Sequence, residues 1–416
     1  MKSSNKILVG SIAIVVAALL WSLDGLFLRP HLYVLPPPLV VFLEHSLGFI
    51  VLAPWLWLKR KEFKLITKKQ WLTVGWVALF GGALGTTFFT KALFLTGFKD
   101  ISVVLLLQKL QPIFAMVLAA IFLRERFSAR FYVYAALALL GGYLVAFKDP
   151  LTLTAVAKTS MTIAGFSVLA AFAWGSSTAF GKYSLKNIHY GLLAALRFGF
   201  TVLIMLALAA SSLKQIPSVG GEQWRTLLII VFSSGAVAMY LYYFGLKKVT
   251  ASLSSLCELA WPFSAVILDY ILNHTVLSWT QYLGGLLLVA SVTHVTWLSR
   301  SRTIVGKVQT GHGQGDKIGA RTANLDLALA KNLPKGLYTC AVIVDSKEYR
   351  GLLYYGINML SNKDCLEVHL LNFSGDLYGK EIKVMTEQYV RFPKKFASIG
   401  ELTKQVSKDL KLATEI

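Results

Sequence analysis

The chain has 416 residues, 55% of them apolar and only 15% charged, and its mean hydropathy of +0.59 lies outside the range of soluble domains. A formal charge of +21 would suit a nucleic-acid partner, but residues 303–416 hold 16 Lys/Arg against 12 Asp/Glu, leaving +17 on the apolar part. Basic loops beside membrane spans produce that distribution, so no nucleic acid is expected.

Apolar runs long enough to cross ~30 Å of hydrocarbon are predicted at Ile7–Leu28, Pro36–Leu58, Gln70–Gly97, Ile101–Leu123 and Phe131–Phe147. Five more follow at Met161–Lys182, Tyr190–Ser211, Trp224–Leu246, Ala251–Leu272 and Trp279–Leu298. Each can satisfy its own backbone hydrogen bonds, as lipid requires. The loops alternate in charge: Lys59, Arg60, Lys61, Lys64, Lys68 and Lys69, then Arg124, Arg126 and Arg130, then Lys247 and Lys248 fall on one side. The other side holds little beyond Arg29, Lys99, Lys148, Lys158, Lys214 and Arg225. Positive loops stay in the cytoplasm, which places both termini there in a multi-pass protein of the cell (inner) membrane. The basic-then-apolar N-terminus continues through Trp21 without a small-residue cleavage site and is read as a first helix. Cys257, Cys340 and Cys365 have no disulfide or metal spacing.

Residues 101–114, ISVVLLLQKLQPIF, align with 251–264, ASLSSLCELAWPFS, so that Pro112 matches Pro262 and Gln108 matches Glu258. AALLWSLDGLF from Ala17 aligns in the same way with AAFAWGSSTAF from Ala170, pairing Trp21 with Trp174. Five helices per half is an odd number, so the second copy must be inverted, and carriers built this way hold their site between the halves at mid-membrane. With Pro112 followed by Arg124-Glu125-Arg126 and Ser128, residues 7–298 resemble the EamA-type drug/metabolite transporter superfamily. The second half departs, reading Asn273-His274-Thr275 where the family has an acid. The resemblance implies a carrier fold but not a cargo.

Ionisable groups within spans are costly and therefore candidates for solute contact: Asp24, Glu44, His45, Lys91, Lys109, Arg197, Glu258 and Asp269. Asp24 and Lys91 lie near enough to helix ends to snorkel. Lys109 and Glu258, beside the two prolines, are expected to serve cargo or proton coupling. Trp21, Trp174 and Trp261 can stack on a planar ligand, with packing as the alternative.

Past Ser299 the character changes to a polar, glycine-punctuated tail. GKVQTGHGQGDKIGARTANL from Gly306 offers a glycine-rich loop that lets amides approach phosphate, then the oxygen-bearing Thr322 and Asn324. Strands are expected at Tyr338–Val344, Arg350–Tyr355, Leu366–Phe373 and Glu381–Val390, and a closing helix after Ser398 and Glu401. The order Thr-Ala-Asn, EYRGLLYYGIN, CLEVHLLNF, DLYGKEIKVM and YVRFPKKF across 303–410 resembles riboflavin kinase. That resemblance implies Mg2+ and ATP held by Thr322 and Asn324, a loop shaped by Gly311 and Gly319, and Glu367 as the catalytic base toward the ribityl hydroxyl. The family's Phe-Pro before Thr-Ala-Asn is Ala320-Arg321 here, which frees a backbone the kinase needs rigid.

The fold expected is an α-helical membrane bundle of about ten transmembrane helices in two inverted five-helix repeats (about 7–148 and 160–298). A small all-β Greek-key barrel with a C-terminal helix follows, with the domain boundary at 302/303. The function expected is import of riboflavin and its phosphorylation to FMN, since riboflavin carriers occur in the superfamily and the short linker from Ser299 favours coupled action. The alternative is a metabolite transporter with a catalytically inactive, flavin-binding regulatory tail. Riboflavin, ATP and the lipid bilayer are the expected partners, and a homodimer is left open.

Overall fold

The computed structural model describes residues 3–97, 102–146, 161–274, 277–310, 321–331, 333–358 and 362–415. Backbone contacts divide the chain into two compact units, Met1–Glu125 with Tyr134–Ser299, and Arg126–Val133 with Arg300–Ile416. Ten apolar helical segments occur in the first 300 positions among the described residues: Asn5–Leu32, Pro37–Leu52, Lys68–Leu95, 102–123, Ala129–Ala146, Met161–Ser184, Tyr190–Leu208, Gly221–Lys248, 251–273 and Trp279–Leu298. Six of them are long and apolar enough by themselves to cross a bilayer.

The internal repeat reappears as repeated irregularity. The third and eighth helices both widen into a π-helical stretch, at Val77–Leu84 and Val231–Gly235. The fourth and ninth both break just before their proline, separating Ser102–Gln108 from Gln111–Leu118 and Ala251–Cys257 from Ala260–Asn273. Proline supplies no N–H and its ring crowds the carbonyl four residues earlier, so Pro112 and Pro262 account for both breaks. Both helices then end on a left-handed residue, Arg124 (φ 56°) and His274 (φ 53°).

Close packing relies on small residues, as expected where lipid removes the hydrophobic drive between helices. A Cβ on Gly284 would lie 2.8 Å from Val145 N and 2.9 Å from Gly141 O, and one on Gly245 would lie 2.6 Å from Gly10 O. Backbone meets backbone at both crossings.

Glu125, the acid of the first-half motif, caps a helix in the second half. Its carboxylate accepts from Ala251 N–H at 2.8 Å, Ser252 N–H at 3.1 Å and Ser252 Oγ at 2.7 Å. These amides are among the otherwise orphaned donors of the ninth helix, and a negative charge suits that end of the helix dipole. Glu125→Ala orphans both amides at once and is expected to cost about 2–4 kcal/mol, read as a lower Tm of the detergent-solubilised protein, with Glu125→Gln losing less. The second-half counterpart reaches Thr275, which lies outside the described residues.

Among the described residues beyond Ser299, six strands form one antiparallel sheet: β1 Thr303–Lys307, β2 Ala323–Leu325, β3 Gly336–Val344, β4 Lys347–Ile357, β5 Asp364–Leu370 and β6 Glu381–Arg391, ordered β1-β6-β3-β4-β5-β2. Gln309 N–H donates to Asn324 O at 2.9 Å and joins the two sheet ends into a nearly closed barrel. The four expected strands are β3 to β6, while β1 and β2 are additional. Val342, Leu353, Val368, Ile382 and Val384 are fully buried inside, and β5 alternates between half-buried and buried positions from Cys365 to Leu370, the pattern of a strand with one face in a core.

The closing helix is Ile399–Glu415. Ser398 Oγ accepts from Glu401 N–H at 3.2 Å, and the Glu401 carboxylate reaches back to Ala397 N–H at 3.1 Å, one residue earlier than the reciprocal bond of a capping box. Leu410, Leu412 and Ala413 pack on Leu337, Leu352 and Val390 of the barrel's outer face. Arg391 holds the helix through a forked contact on Asp409, Nη2 to Oδ2 at 2.7 Å and Nε to Oδ2 at 3.0 Å.

Candidate functional site

In the barrel, the period of two along β5 puts Glu367 and His369 on the half-buried face opposite Leu366, Val368 and Leu370. Register does the rest: Glu367 lies opposite Asn324 on β2 and opposite Tyr354 on β4. Thr322 stands just before β2, so the residues expected to hold nucleotide and the residue expected to act as base converge. Neither the Thr322 nor the Asn324 side chain is hydrogen-bonded among the described residues, so both oxygens are available. Gly311, Gly319 and Ala320 lie outside the described residues.

Two contacts organise this site that reading the sequence missed. Asn358 Nδ2 donates to Glu367 Oε1 at 3.0 Å. His369 Nδ1 lies 2.7 Å from Arg321 O, and because a carbonyl only accepts, the ring donates from Nδ1. That bond ties down the backbone beside Thr322, where the expected proline is absent. His369→Leu is expected to raise KM for ATP about 2- to 10-fold, the worth of one hydrogen bond, with a smaller change in kcat, as steady-state phosphorylation kinetics will show.

Burial, with Tyr354's neighbours adding to it, pushes the Tyr354 phenol up to about 12, so it is a neutral donor, to Ile357 O at 3.0 Å. Burial likewise raises the Cys365 and Cys340 thiols well above their ordinary value, in keeping with inert cysteines. A hydroxyl, a carboxamide and a carboxylate in adjacent positions suit a hard cation that keeps part of its water and shares phosphate oxygens. Among the described residues no group of three or more His, Cys, Asp or Glu forms an all-protein metal cage.

Between the membrane helices a cavity of about 170 Å³ opens onto all four of the expected transport residues, Lys109, Glu258, Trp21 and Trp174. Lys109 and Glu258 sit at the two helix breaks. Glu258 is well satisfied, accepting from Gln111 Nε2 at 2.6 Å, Tyr242 OH at 3.0 Å and Ser254 Oγ at 3.3 Å. Lys109 is 7% exposed and forms no ion pair with Glu258, its ammonium resting 5.7 Å from the Trp261 ring centre. Trp21 packs 5.3 Å from Tyr242, and Phe89 lies 5.1 Å from Trp174 and 6.0 Å from Trp261.

The π-helical stretch at Val77–Leu84 also serves the cavity, because such a turn leaves carbonyls without their usual helical partners. Gly81 O accepts from Arg197 Nη2 at 2.6 Å and from Trp174 Nε1 at 3.1 Å, and Ala78 O from Thr201 Oγ1 at 3.0 Å. Asp24 does not snorkel; it is buried against Arg29 at 2.5 Å, and Arg29 reaches Glu44 at 3.2 Å and Thr90 at 2.9 Å. Arg29 is thus part of the interior network and not a loop charge. Lys91 is exposed over the Phe166 ring, at 4.6 Å, and His45 pairs with Val41 O at 2.9 Å. The side chain of Asp269 lies outside the described residues. Among the described residues, four buried polar atoms of cavity-lining residues find no partner: Asp24 Oδ1, Arg29 Nε, Gln108 Oε1 and Arg197 Nε.

Comparison with known families matches the EamA-like transporter family twice, at residues 8–147 and 161–297. The chain belongs to the EamA-like transporter family. The two matches are its two five-helix repeats, and residues 298–416 match riboflavin kinase, so this EamA-like carrier is a fused transporter–kinase. The carrier is 38% identical over 295 residues to the riboflavin transporter ImpX of Fusobacterium nucleatum, spanning 70% of this chain and 98% of that protein. Its tail is 35% identical over 115 residues to the bifunctional riboflavin kinase/FMN adenylyltransferase of Escherichia coli K12, covering 27% of this chain and 37% of that enzyme. A solved structure described only as a protein shares the fold at a TM-score of 0.54 and 20% identity, over 70% of this chain and 96% of that one.

Proposed function

We propose that this protein imports riboflavin across the cell membrane and phosphorylates it with ATP to FMN on the cytoplasmic side, with both termini and the kinase domain, from residue 303, in the cytoplasm. The observation that carries the reading is the fusion itself: a riboflavin kinase domain continues a chain whose carrier part is 38% identical to a riboflavin transporter over nearly all of that transporter's length. The cavity is consistent with such a cargo. Its aromatic walls suit a planar ring, and its unpaired buried donors and acceptors call for a ligand rich in hydrogen-bonding groups, since polar groups left bare in a low dielectric are costly.

In the kinase domain we assign Glu367 as the base that takes the proton of the ribityl terminal hydroxyl while that oxygen bonds to the γ-phosphorus and the bond to the ADP leaving oxygen breaks. Thr322 and Asn324 would hold Mg2+ and the phosphates, with Gly311 and Gly319 shaping the loop. The cation, when bound, supplies charge neutralisation on the phosphates. Everything else is positioning, which is the larger part of phosphoryl-transfer catalysis. In the carrier we assign Lys109, Glu258, Trp21 and Trp174 to the cargo. Two added negative charges make FMN far harder to desolvate than riboflavin, so phosphorylation retains what is imported.

The test is uptake of labelled riboflavin by cells expressing the full chain. Accumulation of label as FMN, competed by unlabelled riboflavin, is the expected result. Absence of flavin uptake by a protein that still reaches the membrane would sink the transport assignment.

A further inference from the structure

We infer that Asn358 is the positioning residue for the Glu367 carboxylate, an inference that rests on Glu367 being the group that takes the ribityl proton. Asn358 directly follows β4, and both of its backbone polar groups are hydrogen-bonded. Its N–H donates to Lys363 O at 2.8 Å and its carbonyl accepts from Asn362 N–H at 2.9 Å. The side chain does something else, donating from Nδ2 to Glu367 Oε1 at 3.0 Å in a half-buried setting.

Neither cross-strand neighbour of Glu367 performs this task. Tyr354, its partner across β4, spends its hydroxyl on Ile357 O, and Asn324, its partner across β2, makes no side-chain hydrogen bond among the described residues. A glutamate on the half-buried face of a strand would otherwise sample several rotamers, because its terminal torsion is broad. A donor from a carboxamide, bound to one carboxylate oxygen, fixes the plane of the group at the cost of a single ordered side chain. Misplacing a catalytic group by about 1 Å can cost on the order of 10²-fold in rate, so a tether of this kind acts on kcat and leaves substrate affinity largely alone.

The experiment uses the full-length protein in nanodiscs, with riboflavin and Mg-ATP, and compares Asn358→Ala, Asn358→Asp and Asn358→Gln in both the wild-type and the Glu367→Gln backgrounds. Asn358→Ala and Asn358→Asp, which lack the donor, are expected to lower kcat by about 10- to 100-fold with both KM values within about twofold. Asn358→Gln, which keeps an amide donor, recovers part of the loss. In the Glu367→Gln background the same changes have little further effect, because a tether is worthless without the group it holds.

Unchanged kcat in Asn358→Ala and Asn358→Asp overturns the inference, and so do losses that simply multiply with that of Glu367→Gln. Asn358→Asp, equal in size to asparagine, keeps the result readable if the alanine variant folds poorly. Should Glu367→Gln itself retain wild-type kcat, the assignment of Glu367 fails and takes this inference with it. An intact effect of Glu367→Gln with a silent Asn358 removes the inference alone.

Discussion

Replacing Glu367 by Gln in the full-length protein lowers kcat for riboflavin phosphorylation by about 10²- to 10⁴-fold, the usual contribution of a positioned base, while KM for riboflavin and ATP stays within a few fold. The substitution keeps the size of the side chain and one acceptor oxygen, so Asn358 still finds a partner. It removes only the capacity to take a proton. The barrel should not notice, because residue 367 lies on the half-buried face of β5 while Val368 and Leu366 fill the core. Single-turnover phosphorylation, run beside riboflavin binding followed by flavin fluorescence, separates the two quantities; a variant that binds normally and turns over normally would remove Glu367 from the reaction.

Lys109→Met should move stability and function in opposite directions. The ammonium is buried, has an aromatic face near it and makes no ion pair or hydrogen bond among the described residues. An uncompensated charge inside a membrane protein is expensive, and it persists where function needs it. Methionine matches the stem in length and stays apolar, so the variant is expected to raise Tm while lowering riboflavin uptake on the order of tenfold or more, the effect of losing a charged hydrogen bond to cargo. Thermal unfolding in detergent and uptake in vesicles make the comparison. Uptake at the wild-type level would exclude Lys109 from the cargo site, whatever happens to Tm.

Local signals explain which parts of this molecule could be read from its residues. Strands β3 to β6 alternate or run apolar for seven residues or more, and they are visible for that reason. β1 and β2 are five and three residues long and are held by closing a barrel, which no short window reveals. The proposed catalytic grouping divides in the same way. Thr322, Asn324 and Glu367 are recognisable by type and order, but their convergence depends on the register of β2 against β5. Asn358 and His369 look like ordinary polar residues until the turn and the strand bring them to their partners.

In the carrier, proline and charge together marked the fourth and ninth helices, and the breaks fall there. The chain did not reveal that Glu258 would be saturated by Gln111, Tyr242 and Ser254 while Lys109 has no ionic partner among the described residues. Nor did the motif around Glu125 indicate that its carboxylate serves a helix from the other repeat. Apolar periodicity fixes which faces are lipid-compatible, but pairings between halves are set by three-dimensional approach.

The two helix breaks have a directional consequence. In an inverted repeat, the pseudo-twofold operation that carries one half onto the other would exchange the inward and outward faces and leave a perfectly symmetric carrier indifferent to the side from which its cargo came. Here that operation would set Lys109 on Leu259 and Glu258 on Gln108, so neither ionisable residue at the breaks has an ionisable counterpart in the other half. A cargo with distinct ends therefore meets different side chains from the two aqueous phases, and the scaffold's near symmetry gives way to a built-in polarity at the cavity proposed to hold the solute.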